Sequence, residues 1–168
     1  MEHVPSHLPE MFHERRIEKQ PAEVSLITIG GETLTGSVFV QPYTPLRSGR
    51  ELPVDIMNSA EAYFPLLTQD GVLLVAKEAI AEVEYDDNGE SQNDGTLPLG
   101  VAVTLSVTMR GGKAFSGAIL VEGPVNTPRL LDFMNRAGSG HARFLVLHGD
   151  GRVRLVNRNR IVTIRTID

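Results

Sequence analysis

The feature that most constrains the fold is an internal repeat, in which five short segments recur in the same order. Such self-similarity at a fixed spacing is typical of chains built from copies of one structural unit. The sequence therefore predicts two copies, residues 22–86 and 99–168, after a tail or short helix over 1–21. Residues 87–98 between them begin with polar turn formers and are expected to be an exposed linker. The matched segments are 33–40 with 114–121, 53–58 with 130–135, 64–67 with 144–147, 70–71 with 150–151 and 75–80 with 156–161.

Within each copy the apolar residues follow a period of two, which predicts half-buried strands. The clearest example is residues 101–109, where apolar residues alternate with small or polar ones. Gly30-Gly31 and Gly111-Gly112 then supply the left-handed backbone of a tight hairpin. Gly36 and Gly117 lie in the middle of the next strand, where a recurrent glycine indicates a sharp bend. We expect about five short strands in each copy.

One helical segment is predicted between the second and third strands of each copy. In the second copy, Thr127 is a candidate N-cap, Pro128 follows at the first helical position, and Gly138 is placed to end the helix. The fold class is therefore mainly β, with two tandem small β-barrels that carry one short helix each. The residues expected on the buried helical face are Val54, Ile56 and Met57 in the first copy and Leu130, Leu131, Phe133 and Met134 in the second.

Two parts of this pattern resemble the Sm-like small barrel. One is the hairpin, the bent strand and the Asp-x-x-Asn element, residues 55–58 and 132–135; the other is the closing strand pair over 151–162. The chain also resembles uncharacterised bacterial domains with such an element between barrel strands. In the Sm-like family the helix comes first, whereas here it lies in the connection before the third strand, and an SH3-like barrel fits the pattern equally well. The Sm-like resemblance implies a uridine-binding role at four positions: Asp132, Asn135, Arg158 and Asn159.

The Asp-x-x-Asn element is the best candidate site, since it occurs in both copies as Asp55 with Asn58 and as Asp132 with Asn135. One interpretation is a polar contact to a base or a small ligand. The other is structural: the aspartate accepts hydrogen bonds from local backbone amides and the asparagine ends the helix. We favour the structural role, because maintenance of the fold explains two occurrences more simply.

The charge is distributed unevenly between the copies. Residues 1–98 carry 6 Lys and Arg against 17 Asp and Glu, whereas residues 99–168 carry 10 against 4. The cations of the second copy, with Arg152, Arg154, Arg158 and Arg160 foremost, predict a surface that binds RNA or another polyanion. The alternative is that the basic copy docks against an acidic one, in the same chain or in a neighbouring subunit.

Other classes of function have little support in the sequence. The chain has no cysteine, which excludes disulfides, a thiolate nucleophile and Cys-ligated metals. The apolar run over 72–76 is much shorter than the ~20 residues that span a bilayer, and no signal peptide is predicted at the N-terminus. His3, His7 and His13 lie near the N-terminus, but Pro5 breaks the helix that would place His3 and His7 on one face, so we expect no metal site there. No pattern of catalytic residues is present. We expect a non-catalytic, cytoplasmic binding or assembly module without cofactor or metal, built as an internal pseudo-dimer of its two copies. We expect it to bind a protein partner or to self-associate.

Overall fold

The computed structural model describes residues 18–46, 48–88, 100–122, 130–137 and 142–167, and these residues are mainly β. Their two α-helices, α1 (Pro53–Met57) and α2 (Leu130–Ala137), are short and lie where the sequence predicts them. The predicted caps Thr127, Pro128 and Gly138 lie outside the described residues. The strands are β1 (Gln20–Thr28), β2 (Thr33–Val40), β3 (Tyr63–Thr68), β4 (Gly71–Ala76), β5 (Ile80–Asp86), β6 (Gly100–Met109), β7 (Ala114–Glu122), β8 (Phe144–Gly149), β9 (Arg152–Asn157) and β10 (Ile161–Thr166), with 3-10 turns at Lys77–Ala79 and Arg158–Arg160.

All ten strands belong to one open antiparallel sheet, in the order β10-β6-β7-β8-β9-β5-β1-β2-β3-β4. We call β1–β5 with α1 the first unit and β6–β10 with α2 the second unit. Each unit contributes five consecutive strands to the sheet, and β5 of the first unit pairs with β9 of the second. The architecture of two separate barrels is therefore not confirmed, because the units continue into one another and leave β4 and β10 as the two edges.

The strand registers of the two units match at a constant shift. Ser25 faces Glu84 in the first unit and Ser106 faces Arg165 in the second, so both partners differ by 81 positions. The same shift relates the pair Ser37 and Leu67 to the pair Ala118 and His148, and the pair Tyr63 and Ala76 to the pair Phe144 and Asn157. We call two such positions equivalent. The position equivalent to Phe144 is thus Tyr63, one residue away from the Phe64 expected from the sequence.

Gly36 and Gly117 are equivalent positions at which the second strand of a unit approaches the third very closely. A Cβ atom on Gly36 would lie 2.3 Å from the carbonyl oxygen of Leu67, and one on Gly117 would lie 2.8 Å from the Cβ of Leu147. Neither distance is possible between unbonded atoms, so only glycine fits without a shift of the neighbouring strand. The predicted need for glycine in mid-strand therefore has a steric cause.

Two apolar clusters form the core, and they differ in which units supply them. The second cluster contains only residues of the second unit, including Leu105, Leu145 and Val156. The first cluster contains the inward residues of the first unit and, in addition, three from the second: Phe144, Val153 and Leu155. Of the predicted helical face of α2, Leu130, Phe133 and Met134 are partly buried against the second cluster. Leu131, expected on the same face, is instead 72% exposed, because it lies on the outer side of the helix.

Candidate protein interface

The two units meet at the junction between β5 and β9, whose two faces differ. One face of this junction is apolar and buried. Val83 pairs with Leu155 and Tyr85 with Val153 in its antiparallel register. All four side chains are buried, and they join the first apolar cluster together with Phe144. On this face the hairpin β8–β9 of the second unit completes the core of the first unit.

The opposite face of the junction is charged. Arg154 donates to the Glu84 carboxylate at 3.2 Å, and Arg152 pairs with Glu84 and, at 3.0 Å, with Asp86. The Arg154 guanidinium also lies over the Phe115 ring, 4.3 Å from its centroid. Two of the four arginines predicted to form a polyanion-binding surface are therefore paired with the acidic strand of the first unit. Contact between the basic and the acidic copy was the alternative that the charge distribution left open.

Asn58, the asparagine of the first Asp-x-x-Asn element, links the units through the backbone of Phe144. Its Oδ1 accepts the Phe144 N–H at 2.9 Å, and its Nδ2 donates to the Phe144 carbonyl oxygen at 3.3 Å. Asp55 has the expected local role, since its carboxylate accepts the Leu52 N–H at 2.8 Å and caps α1. In this element the aspartate caps the start of α1, and the asparagine ends α1 as expected while its side chain binds the other unit.

The second Asp-x-x-Asn element has a different environment. Asp132 is partly buried and has an interaction partner. Asn135 lies within α2 and not at its end, and its exposed side chain forms no hydrogen bond with the described residues. The remaining predicted ligand-binding residues belong to the turn before β10. Asn159 is exposed and donates its backbone N–H to the Asn157 side chain at 3.0 Å, and Arg160 is partly buried.

Arg158 and its equivalent Lys77 hold the helices in place. The Lys77 Nζ donates to the Ile56 carbonyl oxygen at 2.6 Å, and Arg158 donates to the Met134 carbonyl oxygen at 2.7 Å. Burial lowers the pKa of Lys77, with a smaller contribution from the nearby positive charge of Arg143, and burial also lowers the pKa of Arg158. In both units, therefore, a cation at the same position binds a carbonyl oxygen of the helix.

The surface that the sequence interpretation missed is the outer face of the hairpin β3–β4. Three of its apolar side chains are largely exposed: Tyr63 at 60%, Val72 at 60% and Leu74 at 76%. Their equivalents in the second unit, Phe144, Val153 and Leu155, are exposed by 1%, 2% and 0%. A signal was present in residues 72–75, four consecutive apolar residues where a one-sided strand alternates. We call Tyr63, Pro65, Leu67, Val72 and Leu74 the apolar hairpin face.

We also searched the described residues for metal-binding clusters and membrane-spanning helices. No group of three or more His, Asp or Glu side chains is placed there to hold a metal ion. The helices in the same ranges are too short and too polar to cross a membrane. The histidines at positions 3, 7, 13 and 141 lie outside the described residues. Comparisons with protein-family models, with curated proteins and with solved structures found no match.

Proposed function

We propose that the protein is a non-catalytic assembly module that binds a protein partner through the apolar hairpin face and the edge strand β4. The observation that carries the proposal is the contrast between equivalent residues. Tyr63, Val72 and Leu74 are exposed, whereas the residues with the same place in the second unit are buried in a contact between units. The proposal treats the two units as copies of one small-barrel-like unit, which their constant register shift supports.

The chemistry of β4 favours a protein partner. An edge strand offers unpaired N–H and C=O groups, and natural edges are usually blunted by charges, proline or a bulge. β4 reads Gly-Val-Leu-Leu-Val-Ala and has none of these residues. A contiguous exposed apolar patch next to an open strand edge is the typical form of a protein interaction site.

Binding of RNA or another polyanion through the second unit is the weaker alternative. Arg152 and Arg154 are paired with acidic side chains, and Arg158 is bound to a helix carbonyl. Of the four foremost cations, only Arg160 has no such partner assigned to its side chain in the described part of the chain. The buried rings of Phe115 and Phe144 are also inaccessible for base stacking.

The test is the solution mass of the purified chain, measured by light scattering over a range of concentrations. We expect the mass of two or more chains, each of 18.4 kDa. Leu74→Lys should lower it toward one chain, because a lysine on the apolar hairpin face cannot be buried without cost. The matched control is Leu46→Lys, which changes an exposed leucine in the loop after β2 and should leave the mass unchanged.

A heparin column separates the two candidate functions. An assembly module should pass through at low salt, whereas a polyanion-binding protein should be retained and released by salt. A chain that remains a monomer at every concentration and is retained on heparin would contradict the proposed function and favour the alternative.

A further inference from the structure

We infer that the partner is a second copy of this chain, bound head to tail, with β4 of one chain paired to β10 of the next. This inference rests on the proposed function and assigns its partner. The internal junction supplies the template, because β9 and β5 are the strands equivalent to β4 and β10. The contact between chains would thus repeat a contact that the chain already makes within itself.

The apolar hairpin face fits such a contact position by position. In the internal junction Leu155 faces Val83 and Val153 faces Tyr85. The constant shift of 81 places Leu74 opposite Ile164 and Val72 opposite Thr166 of the next chain. Tyr63 would then enter the core of the next chain's second unit, as Phe144 enters the core of the first unit. Like their buried equivalents in the hairpin β8–β9, Tyr63 is aromatic and Val72 and Leu74 are aliphatic.

The second unit is open on the side that would receive this hairpin. Val83 and Met57 are each 1% exposed and belong to the first apolar cluster, which the hairpin β8–β9 completes. Their counterparts Ile164 and Met134 are only partly buried, although they pack against the second apolar cluster. A hairpin from a second chain would cover them and complete the second cluster.

The head-to-tail contact also gives the Asn135 side chain a hydrogen-bond partner of the kind that Asn58 has. Asn58 binds the N–H and the carbonyl oxygen of Phe144 across the internal junction. Asn135 ends the second Asp-x-x-Asn element but is exposed. In the head-to-tail contact it would face the backbone of Tyr63 of the next chain, the position equivalent to Phe144. This accounts for an asparagine whose side chain has no hydrogen-bond partner among the described residues.

The charged face of the internal junction is not repeated. The residues equivalent to Glu84 and Arg154 are Arg165 and Leu73, so no ion pair forms there between chains. No like charges meet either, since β4 carries no charge. The ion pairs of the internal junction therefore weaken at high salt. The contact between chains is apolar and should persist at high salt.

A head-to-tail contact uses two different surfaces, and this makes it testable by complementation. Leu74→Lys blocks the β4 side. Thr166→Pro blocks the β10 side: the Ile167 N–H bonds Thr104 on β6, so alternation directs the Thr166 N–H to the open edge. Each variant alone should have the mass of one chain. Mixed in equal amounts, they should form a dimer of two chains, because one intact β4 edge meets one intact β10 edge.

The outcomes separate this inference from the proposed function. If Thr166→Pro still assembles and Leu74→Lys does not, the protein assembles through β4 but not head to tail, and only the inference is overturned. If the wild-type chain is a monomer at every concentration, the inference is overturned, and the proposed function is overturned as well if that chain is retained on heparin. Amide hydrogen exchange of the wild type covers the case in which the proline variant fails to fold. With rising protein concentration, β4 and β10 should both gain protection, whereas protection of β4 alone would overturn the inference.

Asn135→Ala tests the asparagine contact. We expect self-association about tenfold weaker, which corresponds to ~1.4 kcal/mol, with the melting temperature of the isolated chain unchanged. The matched control is Asn88→Ala, an exposed asparagine beyond the end of β5, which should leave the association unchanged. Equal association of wild type and Asn135→Ala would remove Asn135 from the interface.

Discussion

The hairpins β3–β4 and β8–β9 have the same register but opposite environments. Thr68 pairs with Gly71 at the turn of the first, and Gly149 with Arg152 at the turn of the second, each at the same shift of 81. The outer face of β8–β9 is buried because β5 and the first apolar cluster lie beside it. The outer face of β3–β4 has no such neighbour among the residues that the structure describes. Burial of a strand face is therefore decided by what lies beyond its edge, and less by the strand itself.

The largest expected effect is at the aromatic position of this pair. Phe144→Ala should lower the free energy of unfolding by about 3–5 kcal/mol, since it leaves a cavity in the first apolar cluster. Tyr63→Ala, measured in the monomeric Leu74→Lys background, should change it by no more than ~0.5 kcal/mol, because the ring is exposed. Chemical denaturation of both variants gives the two values. Equal losses would mean that the two hairpins are in similar environments, contrary to the structure.

The next effect concerns the two asparagines. Asn58→Ala leaves the N–H and carbonyl of Phe144 without their side-chain partner and should cost about 1–3 kcal/mol of unfolding free energy. The reason is that these backbone groups lie at the buried junction and do not regain water fully. Thermal melts of Asn58→Ala and of Asn135→Ala as monomers provide the comparison, and a loss at Asn135 as large as that at Asn58 would contradict it.

A smaller effect is expected on the charged face of the internal junction. Glu84→Gln removes the carboxylate that binds Arg152 and Arg154, and it should cost under ~1 kcal/mol because these side chains are partly exposed and screened by solvent. The two arginines then become available to anions. We expect stronger retention of this variant on heparin than of the wild type. Unchanged retention would show that these arginines do not bind polyanions even when released from their carboxylate.

The smallest effect is a dependence on pH from His148, whose equivalent Leu67 belongs to the apolar hairpin face. Burial lowers the pKa of His148 below 6.5, and Asp87 opposes part of this shift. The unfolded chain therefore takes up the proton first as the pH falls. Stability should be full above pH 6.5 and decrease as the pH falls toward the folded-state pKa. Denaturation series across this range for wild type and His148→Gln should show a shallower decrease in the variant. The same slope in both would assign the effect to other groups.

Much of the local structure followed from short-range patterns in the sequence. The period of two over residues 101–109 predicted β6, whose Leu105, Val107 and Met109 are buried. The recurring glycines marked the positions where the second strand of each unit lies too close to the third for a side chain, and the segments around Asp55 and Asp132 predicted the two helices. These features depend on backbone sterics and on the alternation of side chains, which act within a few residues and can be read from the chain.

The roles of the candidate site residues were harder to predict from the sequence than the strands and helices. Asp55 caps its helix as expected, because its partner Leu52 is only three residues away. The partner of Asn58 is 86 residues away, and no local pattern indicates it. The uneven charge of the two halves left contact between the basic and the acidic copy as one alternative, but only the register of β5 and β9 places Arg154 beside Glu84.

By itself, the sequence determined that the chain is mainly β, that five segments recur in order, and which residues of β6 point to the core. Only the tertiary structure decided that the units join through β5 and β9 into one open sheet and leave β4 and β10 as edges. The physical reason is that strand pairing joins backbone groups, which are alike in every residue, so the choice of neighbour depends on side chains far apart in the chain. The same hairpin pattern is therefore buried at Leu155 and exposed at Leu74.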